Sequence, residues 1–167
     1  MIASPGDAVA ADVFLAVTTK RAGAVKGEGV AKGHQAEIGV TGFHFGVSAS
    51  SAVGSGQATS RRQYETLTVV KRLDSATTPL LSALATNDEV RQAKLSLRKP
   101  GDGQDDFFTI TVSNARVTSV AIDCDEGGNA VERVEIAFTK IDVAYRVQTA
   151  LGIAGATSTF SDEFVVG

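Results

Sequence analysis

The sequence predicts a mainly β protein that carries one short α-helix, and three observations lead there. Apolar and polar residues alternate with a period of two through much of the chain, the spacing of half-buried strands. One stretch alone combines a helical apolar pattern with a start signal. Two stretches switch the parity of their apolar residues midway, which a strand with one buried face does only across an extra residue or a bend.

Residues 61–99 organise the rest. Leu67, Val69, Lys71 and Leu73 share one parity against Thr68, Val70 and Arg72, as in a half-buried strand. Thr78-Pro79 then reads as a helix start, with Thr78 as N-cap and Pro79 at the first helical position. Leu80 and Leu84 form an i, i+4 pair, with Leu81 and Ala85 one step round, so one side is apolar. Asn87 can adopt the left-handed conformation that stops a helix. So short a helix is unstable alone in water and has to dock on a sheet through Leu81 and Leu84. Ala93, Leu95, Leu97 and Lys99 restore the period of two.

Upstream, residues 1–12 are small and polar around Pro5-Gly6, a loose lead-in. Residues 13–17 are a continuous apolar run that suits a buried strand. Residues 20–33 read as a long flexible connection, with Gly23, Gly27, Gly29 and Gly33 set among lysines. Gly27-Glu28-Gly29 is a weak phosphate-cradle signal, because no Gly-Lys-Ser/Thr follows and no helix opens behind it. In residues 37–48, Ile38 and Val40 share one parity and Phe43, Phe45 and Val47 the other. That predicts a bulge near Thr41-Gly42, or a strand buried on both faces at its start. Residues 48–60 are built from Ser, Ala, Gly and Thr, with only Val53 and Gln57 larger. They read as an extended mobile loop between two strands, either functional or a plain hairpin tip.

Downstream, a hairpin is expected around Pro100-Gly101-Asp102-Gly103, with Phe108, Ile110 and Val112 on one face of the return strand. After Asn114, residues 117–122 carry Val120 and Ile122, and residues 125–129 form the next turn. Val134, Ile136 and Phe138 then give way to Ile141, Val143, Tyr145 and Val147 on the opposite parity, so a second bend falls near Thr139-Lys140. Such strands curl a sheet into a barrel or an orthogonal sandwich. Residues 149–167 are a tail of small residues ending in Phe160, Phe164, Val165 and Val166, which has its own barrel or a neighbour to pack on.

Composition narrows the function. At 167 residues the chain reads as one domain, with 43% hydrophobic and 21% charged residues. A net charge of −3 argues against a nucleic-acid footprint. Cys124 is the only cysteine, which excludes an internal disulfide and a thiolate zinc site. No apolar run approaches the roughly 18 residues of a membrane span. The start lacks a basic n-region and a continuous apolar h-region, so the expectation is folding in the cytoplasm and, on leaving it, export without a cleaved signal.

The search for chemistry finds no enzyme, cofactor or metal site. His34 and His44 lie in a loop and on a strand, with no Asp or Ser at a spacing that forces a triad. Asp123, Asp125 and Gly128 echo a calcium loop, but Gly127 and Val134 stand where ligands belong. Cys124 beside two carboxylates is a poor nucleophile. Arg61-Arg62 reads as a charged loop end. Because Phe43 and Phe45 share a parity as core candidates, His44 points away from the barrel interior.

Taken in order, several short matches resemble one family. They are Phe14-Leu15, Lys26-Gly27-Glu28, Gly33-His34, Glu37-Ile38, Val40, Phe-His-Phe-Gly-Val-Ser from Phe43, and Leu-Thr-Val-Val-Lys from Leu67. They continue through Asp74, Thr78-Pro79-Leu80-Leu81, Leu-Ser-Leu-Arg-Lys from Leu95, Val-Thr-Ser-Val from Val117, Ile141 and Tyr-Arg-Val-Gln from Tyr145. In these residues the chain resembles the haemolysin-coregulated protein (Hcp) family, the tube protein of type VI secretion systems. Phe43 stands where the family commonly has tryptophan, and the tail after Gln148 has no clear match.

The resemblance implies a β-barrel of two antiparallel sheets with one outer helix, assembled as a homo-hexameric ring that stacks into a secreted tube. It implies sheath and spike proteins and effectors as partners, with no nucleic acid and no membrane insertion. It places His44 on the lumen wall where cargo passes, and gives the loop with Ser51, Val53, Gly54, Ser55, Gly56 and Gln57 a role between subunits or stacked rings. The alternative is a small-ligand-binding barrel or an effector-like domain without tube formation. Eight Phe, two Tyr and no Trp give such a barrel little to line a cavity with.

Overall fold

A computed structural model describes residues 11–50, 61–100, 105–148 and 154–164. The fold is mainly β with a single described helix. Its strands are β1 (Asp12–Thr19), β2 (Gly23–Val25), β3 (Ile38–His44), β4 (Val47–Ser50), β5 (Arg61–Tyr64) and β6 (Leu67–Lys71). Helix α1 (Thr77–Ala85) follows, then β7 (Val90–Arg98), β8 (Asp106–Cys124), β9 (Ala130–Ala137), β10 (Lys140–Gln148) and β11 (Ala154–Glu163). The sheet runs β11-β10-β8-β7-β1-β3-β6-β9, and β9 also pairs with β8. That last pairing closes six strands into a barrel, leaving β10 and β11 as a wing and β2 as a short addition to β1. Strands β4 and β5 form a separate two-stranded ribbon. Inside, Leu15, Ile38, Leu67, Val69, Leu95, Val134 and Ile136 are fully buried.

Closure depends on β8, which spans 19 residues. Its first half pairs with β7 and β10, its second half with β9. Sequence patterning divides it at Asn114; the chain instead runs through in one strand, with a left-handed backbone at that residue (φ 47°). The parity switch near Thr139-Lys140 is a break between β9 and β10 rather than a bend within one strand. Both breaks meet, because Thr139 Oγ1 donates to the Asn114 carbonyl at 3.2 Å.

The bulge expected near Thr41-Gly42 is present: the β3–β6 register slips between Val40 and Gly42. Residues 37–48 do not form one strand, however. The chain leaves the barrel after His44, and Val47 lies 47% exposed on the ribbon instead of sharing the core parity of Phe43 and Phe45.

Helix α1 starts two residues earlier than the Thr78 cap predicts. Ala76 occupies the N-cap without a side-chain bond. Asp74 orders the entry instead, its carboxylate accepting from the Ala76 amide at 2.9 Å. Pro79 is then the third helical residue, where its missing N–H costs no intrahelical bond. At the other end Asn87 (φ 53°) does stop the helix. Asp88 N donates to Ala83 O and Asn87 N to Leu84 O, the paired bonds of a Schellman stop. The docked stripe is Ala76, Leu80, Ala83 and Leu84. Leu81, expected beneath the helix, is 40% exposed, and Leu73, beyond the end of β6, is 46% exposed.

The connection after β2 is not a slack loop. Gly27 N donates to Ala36 O, Gly29 N to Glu37 O and Ala36 N back to Gly29 O. A Cβ on Gly27 would come 2.5 Å from the Glu37 carbonyl oxygen, and one on Gly29 2.7 Å from that of His34. These glycines therefore serve close backbone approach and leave no cradle for a phosphate. Glu28 then ties the loop to the helix entry, accepting from the Ser75 amide at 2.7 Å.

The tail is structural for most of its length. β11 pairs with β10 from Lys140↔Glu163 to Gln148↔Ala154, and Phe164 packs against the barrel's own core. No described helix is long and apolar enough to cross a membrane.

Candidate functional site

Two polar networks fasten the fold, one inside the barrel and one against its wall. Lys71 continues the buried parity of Leu67 and Val69, so its stem runs inward with them. Its Nζ lies 3.0 Å from Glu132 Oε1 on the facing strand and 2.8 Å from Asp74 Oδ1. Thr77 Oγ1, at the first turn of α1, donates to the same Glu132 oxygen at 2.6 Å. The network joins helix, β6 and β9.

His34 is the second centre, 7% exposed although it lies on a loop. Its ring stacks on Phe14 with centroids 4.3 Å apart. Nδ1 lies 3.0 Å from Glu37 Oε1 and Nε2 2.8 Å from Asp106 Oδ1. Arg98 sits over the Phe14 ring at 5.1 Å and donates to the Lys32 carbonyl. With both ring nitrogens engaged by carboxylates, His34 fastens the loop to β8.

His44 ends β3 with its side chain 62% exposed and Nε2 3.0 Å from Glu65 Oε2. Phe43 and Phe45 on either side pack on the core, so His44 faces outward. The loop residues Ser51, Val53, Gly54, Ser55, Gly56 and Gln57 lie outside the described residues, and so does the turn at Gly101-Asp102-Gly103. Asp125, in the turn that echoes a calcium loop, spends its carboxylate on Asn129, whose backbone amide and side chain hold it below the usual range. Among the described residues no three His, Cys, Asp or Glu side chains are grouped to hold a metal. An open cleft of about 470 Å³ lies beside β1 and β3, lined by Asp12, Phe14, Glu28, Arg72 and Asp74 among others.

The root of the β4–β5 ribbon carries a cluster that sequence patterning missed. Arg62 donates through Nε and Nη2 to Asp162 on β11, the second bond measuring 3.0 Å. Tyr64 donates its hydroxyl to the same carboxylate at 2.7 Å. The Tyr64 ring stacks on Phe164 at 4.7 Å, while Phe138 meets both rings edge-on. Hydrogen bonds from Arg62 and then Tyr64 hold the Asp162 carboxyl below the usual carboxylate range. Burial, followed by the bond to Asp162, pushes the Tyr64 phenol up to about 12. The available signal was the apolar group Phe160, Phe164, Val165 and Val166 at the end of a tail of mostly small residues.

Comparison with known proteins decides the family. The family described as type VI secretion system effector, Hcp, matches residues 14–145. The chain belongs to the Hcp family. It is 31% identical over 148 residues to Protein hcp1 of Pseudomonas aeruginosa, covering 86% of this chain and 88% of that protein. Among solved structures, a type six secretion system protein superposes with a TM-score of 0.78 at 23% identity, over 89% of this chain and 92% of the other. Hcp1 from Salmonella typhimurium gives 0.74 at 24% identity, over 93% and 95% of the two chains. Hcp1 from E. coli EAEC 042 gives 0.75 at 21% identity, over 93% and 100%. These structures share the fold, and the family places this Hcp protein in type VI secretion.

Proposed function

We propose that this Hcp protein is a structural tube subunit: it closes into homo-hexameric rings that stack and carry effectors in their lumen. The observation that carries this reading is the family match over residues 14–145. Two features of the chain support it. The clusters around His34 and Lys71 spend their polar groups on joining elements of the fold to one another. The sheet also ends on β11, whose outer edge is unpaired among the described residues, and a closed symmetric assembly covers such edges.

In this reading His44 faces the lumen, six copies forming a collar, and the loop with Ser51, Val53, Gly54, Ser55, Gly56 and Gln57 mediates contact between rings. The partners are a second copy of the chain, sheath and spike proteins, and effectors. Negative-stain microscopy of the concentrated protein tests the assembly. Rings with a central hole, some stacked, are expected; a field of single small particles at every concentration overturns it.

A further inference from the structure

The β4–β5 ribbon is an appendage. Among the described residues it shares no ladder with the barrel sheet, and its four-residue strands pair with each other. A two-stranded ribbon of this length has no stability of its own and points wherever its root is fixed. Among the described residues that root is tied to β3 and β6, with Glu65 N donating to Gly46 O at 2.9 Å, and on its other side to β11 and Phe164. Asp162 receives Arg62 and Tyr64 from β5, and Phe164 stacks on Tyr64. Phe164 is itself anchored, its amide donating to the Thr139 carbonyl at 2.9 Å, and Thr139 is bonded to Asn114. A continuous path therefore runs from Asn114 in β8, through the last strand, to the ribbon.

We infer that Asp162 and Phe164 are positioning residues that latch the β4–β5 ribbon and set the direction in which it leaves the barrel. This rests on the tube reading only in its consequence: a ribbon that carries a ring-to-ring loop has to leave every subunit at the same angle for rings to stack in register. The chemistry suits a strut. Arg62 presents two donors of its planar fork to one carboxylate, which fixes an angle where a single bond fixes only a distance. The pair is also half-open to solvent, with Arg62 50% and Asp162 18% exposed, so it adds little to the stability of the whole. Geometry is what it supplies. The final strand, whose small residues bury little, thus has a task beyond extending the sheet.

Peptide-resolved hydrogen exchange on the assembled protein tests the latch. In Asp162→Ala, amides of β4 and β5 should exchange about tenfold faster while those of β1 and β7 are unchanged. Arg62→Ala removes the same pair from a half-exposed position outside the barrel, so it gives the same answer should Asp162→Ala disturb β11. Arg62→Lys, which keeps the charge and loses the fork, should behave like Arg62→Ala. Unchanged exchange in the ribbon of Arg62→Ala overturns the latch, as does full protection in Arg62→Lys, which would make charge and not geometry its basis. Microscopy of the same variants separates the two claims. A loosened ribbon with rings but few stacks supports both; a loosened ribbon with stacks as abundant as before keeps the latch and removes the ribbon from stacking.

Discussion

Lys71 and Glu132 face each other across β6 and β9 with Nζ 3.0 Å from Oε1, and neither side chain has any exposure to solvent. An ion pair so placed is costly to assemble and more costly to break. Lys71→Met leaves Glu132 buried and uncompensated, and should cost about 3–5 kcal/mol in urea denaturation. The double variant Lys71→Met, Glu132→Leu should recover most of that loss, because two apolar side chains fill the same space without charge. A single variant within about 1 kcal/mol of wild type would show that the pair does not carry the helix–sheet junction.

Leu80 and Leu81 are neighbours with opposite fates, the first fully buried beneath α1 and the second 40% exposed. Leu80→Ala should cost about 2–5 kcal/mol, and Leu81→Ala no more than about 0.5 kcal/mol. Thermal or chemical melting of the two distinguishes this docking from one through Leu81.

Gly27 admits no side chain, because its Cβ would meet the Glu37 carbonyl oxygen at 2.5 Å, whereas Gly39 has open space. Gly27→Ala should therefore lower stability by about 1–3 kcal/mol, the usual cost of overpacking. Gly39→Ala is the control and should differ little from wild type. Equal melting temperatures would mean that the loop moves aside at no cost.

The pH response of the latch follows from its two shifted groups. Asp162 is held below its ordinary value, so its contribution is present above about pH 4 and is lost as pH falls through the lower folded value. Tyr64 is raised to about 12, so the folded state favours the neutral phenol; that contribution is whole below about pH 10 and lost as pH rises through 12. Ribbon exchange, corrected for intrinsic rate, should be flat between those limits. In an ultraviolet difference titration the ionisation near 12 should vanish in Tyr64→Phe.

What sequence patterning could see was local. The parity change between Val40 and Phe43 located a bulge within a residue, since a period of two has no other way to keep one face buried. The same parity put Lys71 among Leu67 and Val69, but its partner Glu132 lies 61 residues away, and pairing at that distance leaves no periodic trace. His34 and Asp106 are 72 apart and escaped for the same reason. β11 was illegible because alternation needs contrast: Ala, Gly, Thr and Ser look alike on either face, and the strand is held by its ladder to β10. The Hcp family, by contrast, was legible from short matches in order, although none is specific alone. His44 was read as facing outward and lies exposed; its place on a lumen wall belongs to the assembly.

The central claim is assembly, and the molar mass in solution tests it most directly. Multi-angle light scattering across micromolar concentrations, without added metal or cofactor, should give six times the 17.3 kDa chain, unchanged on dilution. A stable 17.3 kDa monomer throughout that range would contradict the ring and the tube built from it.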